Sequence, residues 1–392
     1  MIEDTSEGGE DRTVKLICEP VDGVGPLIAA IKSAKNRVEI AVFRFDRTDV
    51  ETALKAAAAR GVKVTALIAF ANRGGEQRLR ELELRCLDAG IIVARTSDDL
   101  TRYHDKYILI DRRVLYVLSF NFTHLDIGRS RGFAVATTRA SWVREATRLF
   151  RADCTRSKYT PKTDTFVVSP ENARKALDTF LKKARTQLLI YDPKVSDKGM
   201  LRVLEARLKA GVEIRVIGSV SGRAPFEVRK LTAQRLHTRT IIRDGRQAFV
   251  GSQSLRAEEL DSRRELGLIL QDAKAVHTLI ETFESDWASA TAKKTPARTA
   301  EPEGPAGEAA ALTAQEAEEA VQALTKELDP LAASVRKAVR KAVAKAGEDG
   351  LRDRDVKDTM KKVVKQAVKE GVKEAVQEAK VAQEVKDAKD HP

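Results

Sequence analysis

Residues 30–68 read "AIKSAKNRVEIAVFRFDRTDVETALKAAAARGVKVTALI", and residues 180–218 read "FLKKARTQLLIYDPKVSDKGMLRVLEARLKAGVEIRVIG". Each stretch holds a helix end, a β-rich run, an amphipathic segment with apolar residues three and four apart, and a second β-rich run. Gly61 and Gly211 fall at the same point, just past the amphipathic segment, where a helix closes in the left-handed conformation. The likeness continues downstream. "GFAVAT" (132–137) answers "ELGLIL" (265–270), and Phe150 with Asp153 answers Phe283 with Asp286. Alternating strands and helices predict an α/β fold. Its doubling predicts two pseudo-symmetric repeats of mixed β-sheet flanked by helices, with a site where they meet.

The expected organisation has five parts. Residues 1–12 form a disordered acidic N-terminus, 13–158 the first repeat and 159–290 the second. Residues 291–311, rich in Ala, Pro, Glu and Thr, form a disordered linker, and 312–392 a Lys/Ala/Glu-rich helical tail. The tail carries small-residue stripes through Val335, Val339 and Val343, then Val356, Val363 and Val372. They predict marginal solvated helices. A weak self-associating coiled coil and a basic helix lying on DNA or anionic lipid are the alternatives.

The chain has 392 residues and a net charge of +12, which suits a polyanionic partner: nucleic acid or phospholipid headgroups. Cys18, Cys86 and Cys154 are scattered, with no metal-ligand spacing, and read as reduced core thiols. No apolar run approaches the ~18–20 residues of a membrane span. A cytoplasmic protein is expected, peripheral to any membrane it touches.

Two further stretches carry the chemistry. "RYHDKYILID" (102–111) sets out His104, Lys106 and Asp111; "RLHTRTIIRD" (235–244) sets out His237, Arg239 and Asp244. In both, a cation follows the histidine by two residues and an aspartate by seven. Seven residues beyond each aspartate comes a polar segment, "LSFN" (118–121) or "GSQS" (251–254). A lone histidine on a strand is usually structural. Two, each with a cation on the same strand face, are hard to explain by packing.

Over residues 13 to 290 the chain resembles the phospholipase D superfamily, whose signature is a pair of HxKx4Dx6GSxN motifs. The first motif departs at Leu118, where the family has glycine; the second departs at Arg239 for lysine and Ser254 for asparagine. The resemblance implies a phosphodiesterase working through a covalent phosphohistidine, with no cofactor or metal and a core complete as a monomer. Lys106, Arg239, Ser119, Asn121 and Ser252 would cradle phosphate oxygens. His104 would attack phosphorus and His237 would protonate the leaving oxygen. Asp111 and Asp244 would be structural. A further acid would orient a histidine, and counting 28 residues on gives Glu265 for His237 but Gly132 for His104. Asp126 is a substitute if its loop folds inward.

For substrate, the leading expectation is phospholipid, by hydrolysis or phosphatidyl transfer. A metal-independent nuclease and a weakened binding module are the alternatives. Arg102, Arg129, Arg131, Arg223, Arg229, Lys230 and Arg235 are expected to form a basic rim, with residues 220–230 as a substrate lip or a plain connector. His277, in an apolar helical pattern, reads as structural.

Overall fold

The computed structural model describes residues 14–70 and 76–292, so the acidic N-terminus and nearly all of the linker and tail lie outside the described residues. The first half runs β1 (Val14–Glu19), α1 (Gly25–Ser33), β2 (Arg37–Val42), α2 (Thr48–Ala59), β3 (Lys63–Ile68), α3 (Glu76–Asp88), β4 (Ile92–Arg95) and β5 (Arg102–Tyr103). It continues through β6 (Tyr107–Ile110), β7 (Val114–Leu118), α4 (His124–Arg129), β8 (Ser130–Thr137) and α5 (Ala140–Thr155). The second half runs β9 (Phe166–Ser169), α6 (Ala173–Lys182), β10 (Gln187–Val195), α7 (Lys198–Lys209), β11 (Glu213–Val220), β12 (Glu227–Lys230) and β13 (Arg235–Leu236). It closes through β14 (Arg239–Arg243), β15 (Gln247–Gly251), α8 (Ala257–Asp261), β16 (Arg263–Leu270), α9 (Ala273–Ser289) and β17 (Thr291–Ala292).

The two sheets repeat one plan. The first is ordered β1-β8-β7-β6-β2-β3-β4; the second contains β12-β11-β10-β14-β15-β16, with β9 beside β16 in the place of β1. Strands β2, β3 and β4 are parallel, as are β10, β11 and β12, and the other pairs of this plan are antiparallel. Gly61 and Gly211 close their helices at φ 85° and 87°, which residues with a Cβ adopt only at a cost. Where the first half inserts α3, residues 221–226 connect β11 directly to β12, which lies between β11 and β17. Val220 and Glu227–Lys230 are thus sheet, and residues 221–226 are the short connector between them.

Each half covers one sheet face with its own helices. Leu27, Ile31, Val50 and Leu54 seal the first sheet, and Leu177, Leu181, Met200 and Leu204 the second. Between the halves lies a third core, built from α5, α9 and the inner sheet faces, with Phe133, Trp142, Phe166, Tyr191 and Phe283 fully buried. Here stands the physical reason for the recurring aspartates. Arg131 of β8 makes a bidentate pair with Asp286 of α9 at 2.7 and 2.9 Å, and Arg264 of β16 reaches Asp153 of α5 at 3.0 Å. Each arginine crosses to the other half. Arg131 is thus buried and does not belong to a basic rim. Arg229 likewise stacks on Trp287 at 4.3 Å. His277, by contrast, is an exposed side chain on α9, paired to Glu281, and holds no core together.

Two hairpins support the strands that carry the motifs. Asp111 and Arg112 adopt φ of 52°, and Asp244 and Gly245 adopt 53° and 63°; paired positive φ is the mark of the tight turn that suits twisted strands. The Asp111 carboxylate accepts from the amides of Lys35, Asn36 and Arg37, and Asp244 from those of Arg185, Thr186 and Gln187. Burial pushes both carboxyls up, and the amides outweigh it and hold them below the usual range. Their stabilisation is complete above pH ~4 and is lost as the pH falls through the depressed values. Asp111→Ala strands three amides, so its urea midpoint should drop by the equivalent of about 2 kcal/mol. An unchanged midpoint contradicts this role.

Candidate active site

The two histidines reach the interface between the halves through a strand exchange. The short strand β5, just before His104, pairs with β16 of the second half, and β13, just before His237, pairs with β8 of the first. The exchange is sealed by backbone: the His104 amide donates to the Arg264 carbonyl at 2.8 Å, and the His237 amide to the Arg131 carbonyl at 3.1 Å. Both residues are buried, at 6% exposure.

This exchange decides which acid meets which histidine. Glu265, the third residue of β16, has no exposed surface, and its carboxylate lies 2.8 and 3.0 Å from His104 Nδ1. Counting along the chain pairs Glu265 with His237; the structure corrects that pairing, because β5 is laid against β16. Gly132 then stands opposite His237, not His104. A Cβ at Gly132 would lie 2.7 Å from Phe120 Cδ1, so the aromatic ring fills the space where a carboxylate stem would run. Accordingly His237 Nδ1 is buried without a hydrogen-bond partner.

A proton on Nδ1 directed at Glu265 leaves the His104 lone pair on Nε2. The ring meets Phe43 edge-on at 4.6 Å, and Lys106 Nζ lies 2.9 Å from Nδ1. On the opposite side, Asp126 folds inward, but towards His237 rather than His104, with Oδ2 3.6 Å from His237 Nε2. It also accepts from the Asn121 amide and side chain at 3.0 and 2.6 Å and pairs with Arg235. Arg235 is therefore tied into the site.

The remaining motif residues brace loops. Ser119 Oγ accepts from the Phe133 amide at 2.9 Å and Ser252 Oγ from the Leu266 amide at 3.2 Å, fastening the first motif to β8 and the second to β16. Arg239 donates to the His237 carbonyl and to Ser254, with Glu259 at 3.8 Å. Sequence reasoning missed Phe43, Glu259 and Arg263. Arg263 Nη1 is buried 4.0 Å from Glu265 and 3.2 Å from Glu259. The spacing of Asp126 and Glu259, five residues after Asn121 and Ser254, was the available signal for Glu259. Nothing in the motif pattern points to Phe43.

Burial pulls both imidazoles well below their usual range, and Lys106 and Arg239 act on both in the same direction. Burial also brings Lys106 down to about 7 and pushes Glu265 up. That each of these cations is felt by both histidines places all four groups in one field.

No curated protein matches the chain. Among solved structures, a polyphosphate kinase from Porphyromonas gingivalis aligns at TM-score 0.60 and 20% identity, over 70% of this chain and 47% of that one. The chain thus spans about half the kinase's length. A phosphatidylserine synthase from Haemophilus influenzae Rd KW20 aligns at TM-score 0.56 and 11% identity, over 74% of this chain and 89% of that one. Both likenesses are of fold. The family described as "Cardiolipin synthase, PLD-like domain" matches residues 27–154 and 177–287, one stretch in each half. On that match, with two histidine motifs converging between two sheets, the chain belongs to the phospholipase D superfamily.

Proposed function

We propose that the protein is a phospholipase D-type phosphodiesterase acting on phospholipid, with His104 as nucleophile and His237 as acid and base. The observation that carries this reading is the Glu265–His104 contact, which supports a neutral imidazole with Nε2 free for attack. Nε2 bonds to phosphorus as the phosphorus–oxygen bond to the leaving group breaks, and His237 gives that oxygen its proton. Water then attacks the phosphohistidine, passes its proton to His237, and the phosphorus–nitrogen bond breaks. An alcohol in place of water makes the step a transfer. Lys106 and Arg239 offset the charge gathering on the phosphoryl oxygens.

Phospholipid is supported by the family's description and by the fold shared with a phosphatidylserine synthase. Nucleic acid is the second reading, and a cationic cleft on the second half favours it.

The test is turnover in EDTA of phosphatidylglycerol, phosphatidylcholine, plasmid DNA and a soluble aryl phosphodiester. At least one should be cleaved; none cleaved would remove the enzymatic reading. The pH profile follows from the burial. Burial leaves both His104 and His237 neutral in the free protein near pH 7, so the first step is asked of an aryl phosphodiester, whose leaving oxygen needs no proton, and the acid limb lies below pH ~6.5. Lys106 keeps its charge below about 7 and loses it above. Thus kcat/KM for the aryl phosphodiester should fall as the pH rises from 7 to 9. A rise over that interval contradicts these roles.

A further inference from the structure

At the far end of β14 from Arg239, four residue steps or about 13 Å along the strand, the second half opens into a cleft of about 870 Å³. Six cations line it: Lys182, Lys183, Arg185, Arg207, Arg243 and Arg246. Asp244 is the only carboxylate in its lining, and its oxygens are taken by the amides of Arg185, Thr186 and Gln187. Lys182 shares Asp178 at 2.7 Å. Arg243 is fixed by stacking on Phe180 at 4.4 Å and by donating to the Phe180 carbonyl, and burial opposes its charge. The buried Nε of Arg207 has no hydrogen-bond partner.

The other half serves as an internal control. In the register of the two repeats, Ser33, Ala57 and Ile110 stand where the second half has Lys183, Arg207 and Arg243. The first half's neighbouring Arg37 and Arg112 are paired with Glu39, whose counterpart is Leu189. The first half keeps Lys32, Lys35 and Arg113 at the other three positions, so what the second half adds at this end is Lys183, Arg207 and Arg243, and the scaffold does not require them.

We propose that this cleft is a second anion site, distinct from the histidine site, that binds the phosphate backbone of duplex nucleic acid. The lining is charged and polar, with Ala184 its single apolar residue, so it offers no ring on which unpaired bases could stack. None of the exposed large hydrophobics among the described residues (Val21, Phe70, Leu84, Leu87, Ile92, Leu125) lines it, so nothing there would enter a bilayer. Concave, cationic and without aromatics, it suits contacts that hold phosphates and ignore sequence.

The test gives Lys183, Arg207 and Arg243 the first half's residues, as Lys183→Ser/Arg207→Ala/Arg243→Ile in the full chain. Binding of a fluorescent 20-base-pair DNA duplex should weaken roughly tenfold or more at about 0.1 M salt, and the slope of log K against log[salt] should flatten by about 2–3, near one per lost cation. Turnover of the aryl phosphodiester should match wild type, which separates failure of this site from failure of the histidine reading. If the triple variant melts lower, Lys183→Glu, at an exposed position, must still weaken duplex binding at least threefold. Equal duplex affinity and slope in wild type and variants, or no duplex binding by wild type, overturns the proposal. Loss of binding confined to phosphatidylglycerol vesicles, with duplex binding intact, overturns it in favour of a membrane contact.

Discussion

His104→Ala should abolish turnover of any substrate the enzyme accepts, by at least about 10⁴-fold, and with it any alkali-stable, acid-labile phosphoryl adduct. Glu265→Gln should lose about 10²–10⁴-fold in kcat while keeping the adduct, because the neutral amide no longer holds the Nδ1 proton or steadies a charged ring. His237→Ala should behave differently. With an aryl leaving group that needs no proton it should still form the adduct, then accumulate it, since no base remains to activate water. Quench-flow labelling with a radioactive aryl phosphodiester distinguishes the three. An adduct in His104→Ala that disappears in His237→Ala reverses the assignment and the meaning of the Glu265 contact.

The second large effect is on stability. Arg131 is 8% exposed, spans the halves to Asp286 and also donates to the Glu19 carbonyl at 2.7 Å. Tyr191 adds a hydrogen bond to the same aspartate at 2.6 Å. Arg131→Ala leaves a buried carboxylate facing an apolar cluster, at a cost of about 3–5 kcal/mol. The melting temperature should fall by roughly 6–20 °C at this size. The double variant Arg131→Met/Asp286→Leu should recover part of that loss, since both charges leave together. A single variant that melts within a degree of wild type rules out the lock.

Most of the architecture is legible in the sequence because it is written twice. Periods of two and of three to four, with Gly61 and Gly211 in register, give the sheets and their covering helices. The spacing of His104, Lys106 and Asp111 against His237, Arg239 and Asp244 brings out the candidate site. What resists reading is everything set by the exchange of β5 and β13. Two residues of strand have no periodicity, so nothing in the chain says that Tyr103 lies beside Arg264. Without that contact the acid count pairs Glu265 with the wrong histidine. The same blindness puts Arg131 on the surface, since a buried arginine is recognisable only by the partner that neutralises it.

The exchanged strands also bear on when the protein can become reactive during its own synthesis. His104 leaves the ribosome early, but the backbone carbonyl that fixes it and the carboxylate that orients it are supplied by residues 264 and 265. A chain arrested between the halves would hold a histidine and a lysine with nothing to aim them. On the proposed roles, nascent and truncated products lack an oriented histidine until the second sheet closes over the first.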